Sequence, residues 1–242
     1  MVGAMALTTI FLDAGGVLAD PNWERVAAAL GRQGVAADAD ALAAAEPYAK
    51  AELDTPASIR SSDDRSRVGR YWTLVLGRAG VSASDDALAG AWTELAAYHA
   101  QHNLWERVIA GVPEALDRLR GLGLRLVVVS NANGTLRQKL ARLDLLRRLD
   151  IVLDSTELGV EKPDPRIFHT ALAQAGADPD EVVHVGDLYE VDVVGARAAG
   201  LRAVLVDPLD LHGARDCPRV PSLAKLAESL ASGGTDLGVS VR

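Results

Sequence analysis

The chain has little of what would tie it to a secreted, membrane or nucleic-acid setting. A single cysteine in 242 residues, Cys217, cannot form an internal disulfide. It sits beside Pro218 in a polar loop and is read as having no catalytic role. No apolar run reaches the ~18 residues needed to span a bilayer. The first residues lack the charged, long-apolar and small-residue regions of a secretory signal, so the expected location is cytoplasmic. Basic clusters are missing too. A net charge of −8 and a pI near 5.1 repel phosphodiester backbones and anionic lipid, which argues against nucleic acid and membranes as partners. No segment repeats at a fixed period.

What is present is apolar sequence, 49% of the chain, enough for a sizeable core. Five short runs are rich in β-branched residues: Ala6–Asp13, Leu124–Ser130, Asp150–Ser155, Glu181–Asp187 and Leu201–Asp207. Each is apolar at successive positions, which suits strands covered on both faces and hence a parallel sheet with helices above and below. Helix-length segments lie between the later runs: "GTLRQKLARLDLLRRL", "DPRIFHTALAQAG" and "YEVDVVGARAAG". The order predicts a doubly wound α/β core.

Between the first two runs lie more than a hundred residues, where a βαβ unit uses ~30. Residues 21–105 are alanine-rich, helical in pattern and without a convincing strand, which predicts an inserted α-helical cap domain. Residues 1–20 and 106–232 then form the core, with "GVPEALDRLRGLG" as a core helix, and residues 233–242 a polar tail.

In an open parallel sheet, loops leaving the carboxyl ends of the strands converge on one edge, where ligands bind. The first strand ends in Asp13 and the second in Ser130–Asn131. The third leads to Glu161–Lys162–Pro163, and the fourth ends in Asp187 with Asp192 close behind. Three carboxylates, a hydroxyl and an ammonium are therefore expected at one crevice. An aspartate nucleophile needs a cation to offset repulsion against an anionic substrate, and Mg2+ takes oxygen ligands from one or two carboxylates. Lys162 can neutralise remaining charge, and Ser130 can donate to a phosphoryl oxygen.

The segments "FLDAGGVL", "VVVSNANG", "GVEKPDPRIF" and "VVHVGDLYEVDVVGARAAGL" resemble the four ordered motifs of the haloacid dehalogenase-like (HAD) hydrolases, with a helical cap inserted after the first. The resemblance spans roughly residues 9–208. It implies a Rossmann-like core and an aspartyl-enzyme mechanism with Mg2+ as cofactor. By that resemblance Asp13 is the nucleophile, Ser130 the phosphate-binding hydroxyl and Lys162 the charge-balancing lysine. Asn131, Ser130 and Lys162 contact substrate. Asp13, Asp187, Asp192 and the backbone carbonyl of Gly15 hold the metal. The implied reaction is hydrolysis of a small phosphorylated metabolite by a monomer or homodimer whose cap, hinged near Asp20 and Trp105, closes over the site.

One position departs from the family's phosphatases. They carry an acid–base aspartate two residues after the nucleophile, and here that residue is Gly15. General acid–base help contributes ~10²–10⁴-fold, so a protein without it suits a good leaving group such as an acyl phosphate. The family's metal-independent 2-haloacid dehalogenases also lack this aspartate, which makes them the alternative, alongside a weakly active binding or regulatory relative. Against the dehalogenase stand Asp187 and Asp192, whose charge beside Asp13 would repel a carboxylate substrate without a cation. By residue type, Asp20, Tyr48, Asp54, Arg60 and Asp63 are candidates to replace the missing acid. His99 and His102 have helical metal spacing but no third ligand at hand. His184 reads as a packed core residue, and Trp72, Trp92 and Trp105 as packing of the cap.

Overall fold

The computed structural model describes residues 7–60 and 64–233, except the side chains of residues 64–66. Asp63 and residues 234–242 therefore lie outside the described residues. The chain divides into two compact units, Met1–Asp20 with Val108–Arg242, and Pro21–Arg107.

The first unit is built on a six-stranded sheet. In chain order its strands are β1 (Thr9–Leu12), β4 (Arg125–Ser130), β5 (Ile151–Asp154), β6 (Val182–Gly186), β7 (Arg202–Val206) and β8 (Arg219–Val220). Their spatial order is β5-β4-β1-β6-β7-β8, and every neighbouring pair is parallel. Two further short strands, β2 (Ala19–Pro21) and β3 (Trp105–Val108), form a separate two-stranded sheet at the points where the chain leaves and re-enters this unit. The sheet is thus the expected doubly wound α/β layer, with one edge strand more than the apolar runs indicate. β8 has only two residues, too short to leave a pattern.

Side chains alternate across the sheet, as period-2 geometry requires. Ile10, Leu12, Leu126, Val128, Val183 and Val185 pack into one buried cluster, and Phe11, Val127 and Val129 into the other. Each such side chain contributes roughly 1.5–3 kcal/mol by leaving water. The first layer is completed by α6 (Val112–Gly121), α7 (Leu136–Arg142) and α11 (Leu223–Ala231). The second is completed by α9 (Pro165–Ala175) and α10 (Val194–Ala198). Helix α9 illustrates why these segments are helical: Asp164 caps it by accepting from Arg166 N, Pro165 opens it, and Gly176 ends it at φ 60°.

Two expected helices are shorter than their patterns. The segment 134–149 is broken after α7, because Asp144 takes φ 56°, and resumes only as a 3₁₀ turn over Leu146–Arg148. The segment after β6 opens with a π turn, Tyr189–Val193, before α10. A short helix, α8 (Ser155–Leu158), follows β5.

The second unit contains α1 (Trp23–Arg32), α2 (Ala39–Leu53), α3 (Pro56–Arg60), α4 (Asp64–Arg78) and α5 (Asp85–His102). Asn22, Asp38 and Ser84 cap α1, α2 and α5 through their side chains. The core of this unit is aromatic: Trp72 lies 5.7 Å from Trp23, 5.0 Å from Tyr71 and 5.1 Å from Trp92, ring centre to ring centre. Trp105 joins it at 6.2 Å from Trp72, so the tryptophans pack this unit's interior.

Candidate active site

The sheet register brings the site together. Leu12 pairs with Val128 on one side and Val185 on the other, and Ser130 pairs with Asp154. Asp13, Ser130, Asp154 and Asp187 therefore stand within a residue or two of one line at the carboxyl edge of β1, β4, β5 and β6. A main-chain bond of 2.9 Å from Asp13 N to Val185 O ties the end of β1 to β6.

Carboxylate oxygens of Asp13, Asp187 and Asp192 can be chosen that all lie within 4.8 Å of one another. Lys162 is the cation among them. Its Nζ is 3.0 Å from Asp13 Oδ1 and 2.6 Å from Asp192 Oδ1, with the side chain 1% exposed. Burial alone would discharge this ammonium, yet Asp13 and Asp192 outweigh that and hold its pKa above the ordinary lysine value. Burial equally opposes the charge on Asp192, where attraction to Lys162 and the bond from His184 prevail and keep its carboxyl below the usual range. Asp13 Oδ1 also accepts from Ala14 N at 2.7 Å. Among the described residues, Asp13 Oδ2 accepts nothing, which leaves one oxygen of the carboxylate open.

Asp192 is anchored at every side. Oδ1 accepts from Lys162 Nζ and from His184 Nε2 at 2.8 Å, and Oδ2 from Leu188 N at 3.1 Å. Because an ionised carboxylate only accepts, His184 carries its proton on Nε2, and its buried Nδ1 has no partner among the described residues. His184 is thus a packed core residue, edge-on to Phe168 at 4.9 Å, that also fixes Asp192. Gly186 makes the geometry feasible: a Cβ there would sit 2.1 Å from Asp192 Cγ. The π turn that carries Asp192 lets this side chain fold back under the end of β6.

Ser130 is 4% exposed, and among the described residues its Oγ has only a long 3.5 Å contact with Asn131 O. Its proton is available to a ligand. Asn131 is joined to the Lys162 main chain: Lys162 N donates to Oδ1 at 2.8 Å, and Nδ2 donates to Lys162 O at 3.0 Å. This two-way amide clamp makes Asn131 a positioning residue for Lys162. At the turn after Asp13, Gly16 takes φ 67° and its N donates to Ala19 O at 3.1 Å. Gly15 is not among the glycines with positive φ, so the turn explains the second glycine but not the first.

Two buried charged residues escape sequence reasoning. Asp154, 2% exposed, accepts from Gly134 N, Leu136 N and Thr156 N and so shapes the loop after Ser130. Lys139, 3% exposed on α7, is the other. Burial pushes its ammonium down from 10.5 to about 8, while Asp13 and Asp154 favour the charge. Asp154 ends an apolar run and invites a capping role; nothing in the pattern around Lys139 separates it from a surface lysine.

The remaining candidates have these local settings. Asp54 is buried within the helical unit, Tyr48 is 45% exposed and Arg60 is exposed. His99 Nδ1 accepts from Leu104 N at 3.1 Å, and His102 stacks on Tyr98 at 4.9 Å. Cys217 is half-buried, and burial raises its thiol pKa, which disfavours the reactive thiolate.

An aspartate at the tip of β1 thus stands beside a lysine and two further carboxylates at the carboxyl edge of a parallel α/β sheet. The sequence pattern of the haloacid dehalogenase-like hydrolases matches residues 7–200, and the chain belongs to that family. It is 40% identical over 132 residues to the haloacid dehalogenase-like hydrolase domain-containing protein 3 of Bos taurus, 52% of each chain. Over 99 residues it is 46% identical to a phosphoserine phosphatase of Thermus thermophilus, 39% of this chain and 40% of that one. The chain thus spans about half or less of the length of these curated relatives. Among solved structures, a 2-haloacid dehalogenase from Pseudomonas syringae is similar over 93% of this chain and 99% of that one, with TM-score 0.56 and 27% identity. No helix among the described residues is long and apolar enough to cross a membrane.

Proposed function

We propose that the protein is a Mg2+-dependent phosphohydrolase that cleaves a small phosphorylated metabolite through an aspartyl-phosphate on Asp13. The observation that carries this reading is the charge balance of the site: the carboxylates of Asp13, Asp187 and Asp192 gather together, and Lys162 pairs with two of them, Asp13 and Asp192. An anionic substrate approaches such a cluster only with a further positive charge present. The all-oxygen donor set suits Mg2+. Asp13, Asp187 and the main-chain carbonyl of Gly15 would hold it, with Asp192 contributing its charge and the remaining lone pair of Oδ2. When bound, the ion supplies charge neutralisation beside the transferred group.

The open oxygen of Asp13, Oδ2, attacks phosphorus while the bond to the leaving oxygen breaks and its electron pair departs with that oxygen. Ser130 donates its hydroxyl proton in a hydrogen bond to a phosphoryl oxygen, and Lys162 keeps the Asp13 carboxylate in place. Water then attacks phosphorus, the aspartyl bond breaks and the carboxylate is restored. With no side chain at Gly15 to protonate the leaving oxygen, substrates whose leaving group needs no proton, such as acyl phosphates, are favoured. The phosphatase names of partial-length relatives support the reading.

Gly15 and the similarity to a 2-haloacid dehalogenase support a second reading, metal-independent halide displacement by Asp13. One panel separates the two: phosphate release from phosphorylated metabolites and acyl phosphates, with Mg2+ and with chelator, beside halide release from 2-chloropropionate. Mg2+-dependent phosphate release that vanishes in Asp13→Asn is expected. Halide release in chelator would overturn the proposal. Gly15→Asp, at a position free of left-handed strain, is expected to raise turnover of simple monoesters by about tenfold or more.

A further inference from the structure

The chain that follows Ser130 is held from a neighbouring strand. Residues 131–135 leave β4 and turn through Gly134, at φ 83°, into α7. Thr135 stands at the N-cap of α7 but makes no capping bond to it, and its hydroxyl goes to Asn133 Oδ1 at 2.6 Å instead. The loop is caught by three consecutive side chains at the end of β5, where Asp154 is the register partner of Ser130.

Asp154 Oδ2 accepts from Gly134 N at 2.9 Å and from Leu136 N at 3.3 Å, so it caps α7 from outside that helix, while Oδ1 accepts from Thr156 N at 2.9 Å and opens α8. Ser155 Oγ accepts from Ala132 N at 3.1 Å and donates to Ala132 O at 3.4 Å. Thr156 Oγ1 donates to the same carbonyl at 2.6 Å. A carboxylate is a costly choice here: Asp154 is 2% exposed, and a negative charge on the strand next to Ser130 opposes an anionic substrate. What it offers is two oxygens that only accept. Asparagine and serine have a single oxygen and bring donors of their own, so neither serves all three N–H groups.

Ser130 depends on this arrangement. Among the described residues no side chain fixes the direction of its hydroxyl, whose one contact is with Asn131 O, so the path of the main chain after it does. We propose that Asp154, supported by Ser155 and Thr156, is a positioning residue that holds residues 131–136 so that the Ser130 hydroxyl meets the phosphoryl group, and thereby sets the affinity for phosphate. This deepens the phosphohydrolase reading and rests on it. Asp154 acts through Ser130 and needs no contact with the substrate. The loss of one hydrogen bond to a charged group at Ser130 corresponds to about tenfold in affinity.

The test uses inorganic phosphate as the probe, titrated calorimetrically in the presence of Mg2+ into the full chain and its variants. Asp154→Ala is expected to bind phosphate about tenfold more weakly. Thr156→Val, at an exposed position where only the bond to Ala132 O is lost, is expected to bind it about threefold more weakly. The sign is informative, because removing a buried negative charge would through space alone tighten phosphate binding. The deciding measurement is the cycle with Ser130→Ala: once the hydroxyl is gone, either substitution is expected to cost less than a further factor of about 1.5. An Asp154 that only stabilises the fold weakens phosphate binding equally in both backgrounds or in neither. Should Asp154→Ala fail to fold, Thr156→Val carries the same cycle. Unchanged or tighter phosphate binding in the folded variants, losses that add to that of Ser130→Ala, or no phosphate binding by the parent would each overturn the proposal. Coupled losses in a protein that releases phosphate from no ester would overturn the catalytic reading alone.

Discussion

Gly186 and Asp192 show how one residue's lack of a side chain fixes another's position. The Asp192 carboxylate occupies the volume where a Cβ on Gly186 would lie, 2.1 Å from its Cγ. Alanine at 186 must therefore push Asp192 off Lys162 and His184, since the strand backbone is held on both sides by β1 and β7. Gly186→Ala is expected to lower turnover by about a hundredfold, as displacement of a site by ~1 Å does, and to lower Tm by several degrees. Thermal denaturation and initial rates of the purified variant check both effects. The "VGD" in the sequence marks the strand end plainly; which side chain needs the glycine is a contact visible only in three dimensions.

At the scale of elements, the helical unit holds its own half-buried polar network. Glu106 accepts from Tyr98 Oη at 2.7 Å, Asn22 Nδ2 at 2.9 Å and Arg25 Nε at 3.1 Å. Burial raises the pKa of this carboxyl, but the hydrogen bonds and Arg25 outweigh it and the net shift is downward. A carboxyl whose folded pKa lies below its unfolded one stabilises the fold above the unfolded value, near 4.5, and loses that contribution as pH falls through the folded value. The contribution of Glu106 to stability is therefore expected to decline as pH falls below about 4.5. Glu106→Gln is expected to lose about 1 kcal/mol at pH 7 and to show a flatter profile below that point, checked by urea unfolding from pH 3 to 7. Helix caps such as Asn22, Asp38 and Ser84 are legible in sequence because they act within three residues. The Glu106 network is not, since it joins positions more than eighty residues apart.

Across the whole molecule, acidic residues from two separated segments, Asp13 and Asp187 with Asp192, meet where the proposed chemistry needs a cation. If Asp13, Asp187 and Asp192 hold Mg2+, the ion binds the folded chain and not the unfolded one, and stability rises with its concentration. At about a hundred times Kd the gain is ~2.7 kcal/mol, so saturating Mg2+ is expected to raise Tm by several degrees in the parent and by little in Asp187→Asn. Differential scanning calorimetry with Mg2+ and with chelator checks it, and an unchanged parent Tm would count against the metal site.

The sequence by itself determined the doubly wound sheet, the helical insertion and the gathering of Asp13, Ser130, Lys162, Asp187 and Asp192 at one edge. Apolar runs and strand-end polar residues are local signals, and parallel topology sends every strand's carboxyl end to the same side. Only the tertiary structure decided that Asp192 is locked between Lys162 and His184, that Asn131 clamps the Lys162 backbone and that Lys139 is buried on α7. The reason is physical: a side chain's charge, burial and free hydrogen-bonding groups depend on neighbours brought from distant parts of the chain, and periodicity along one segment carries no record of them.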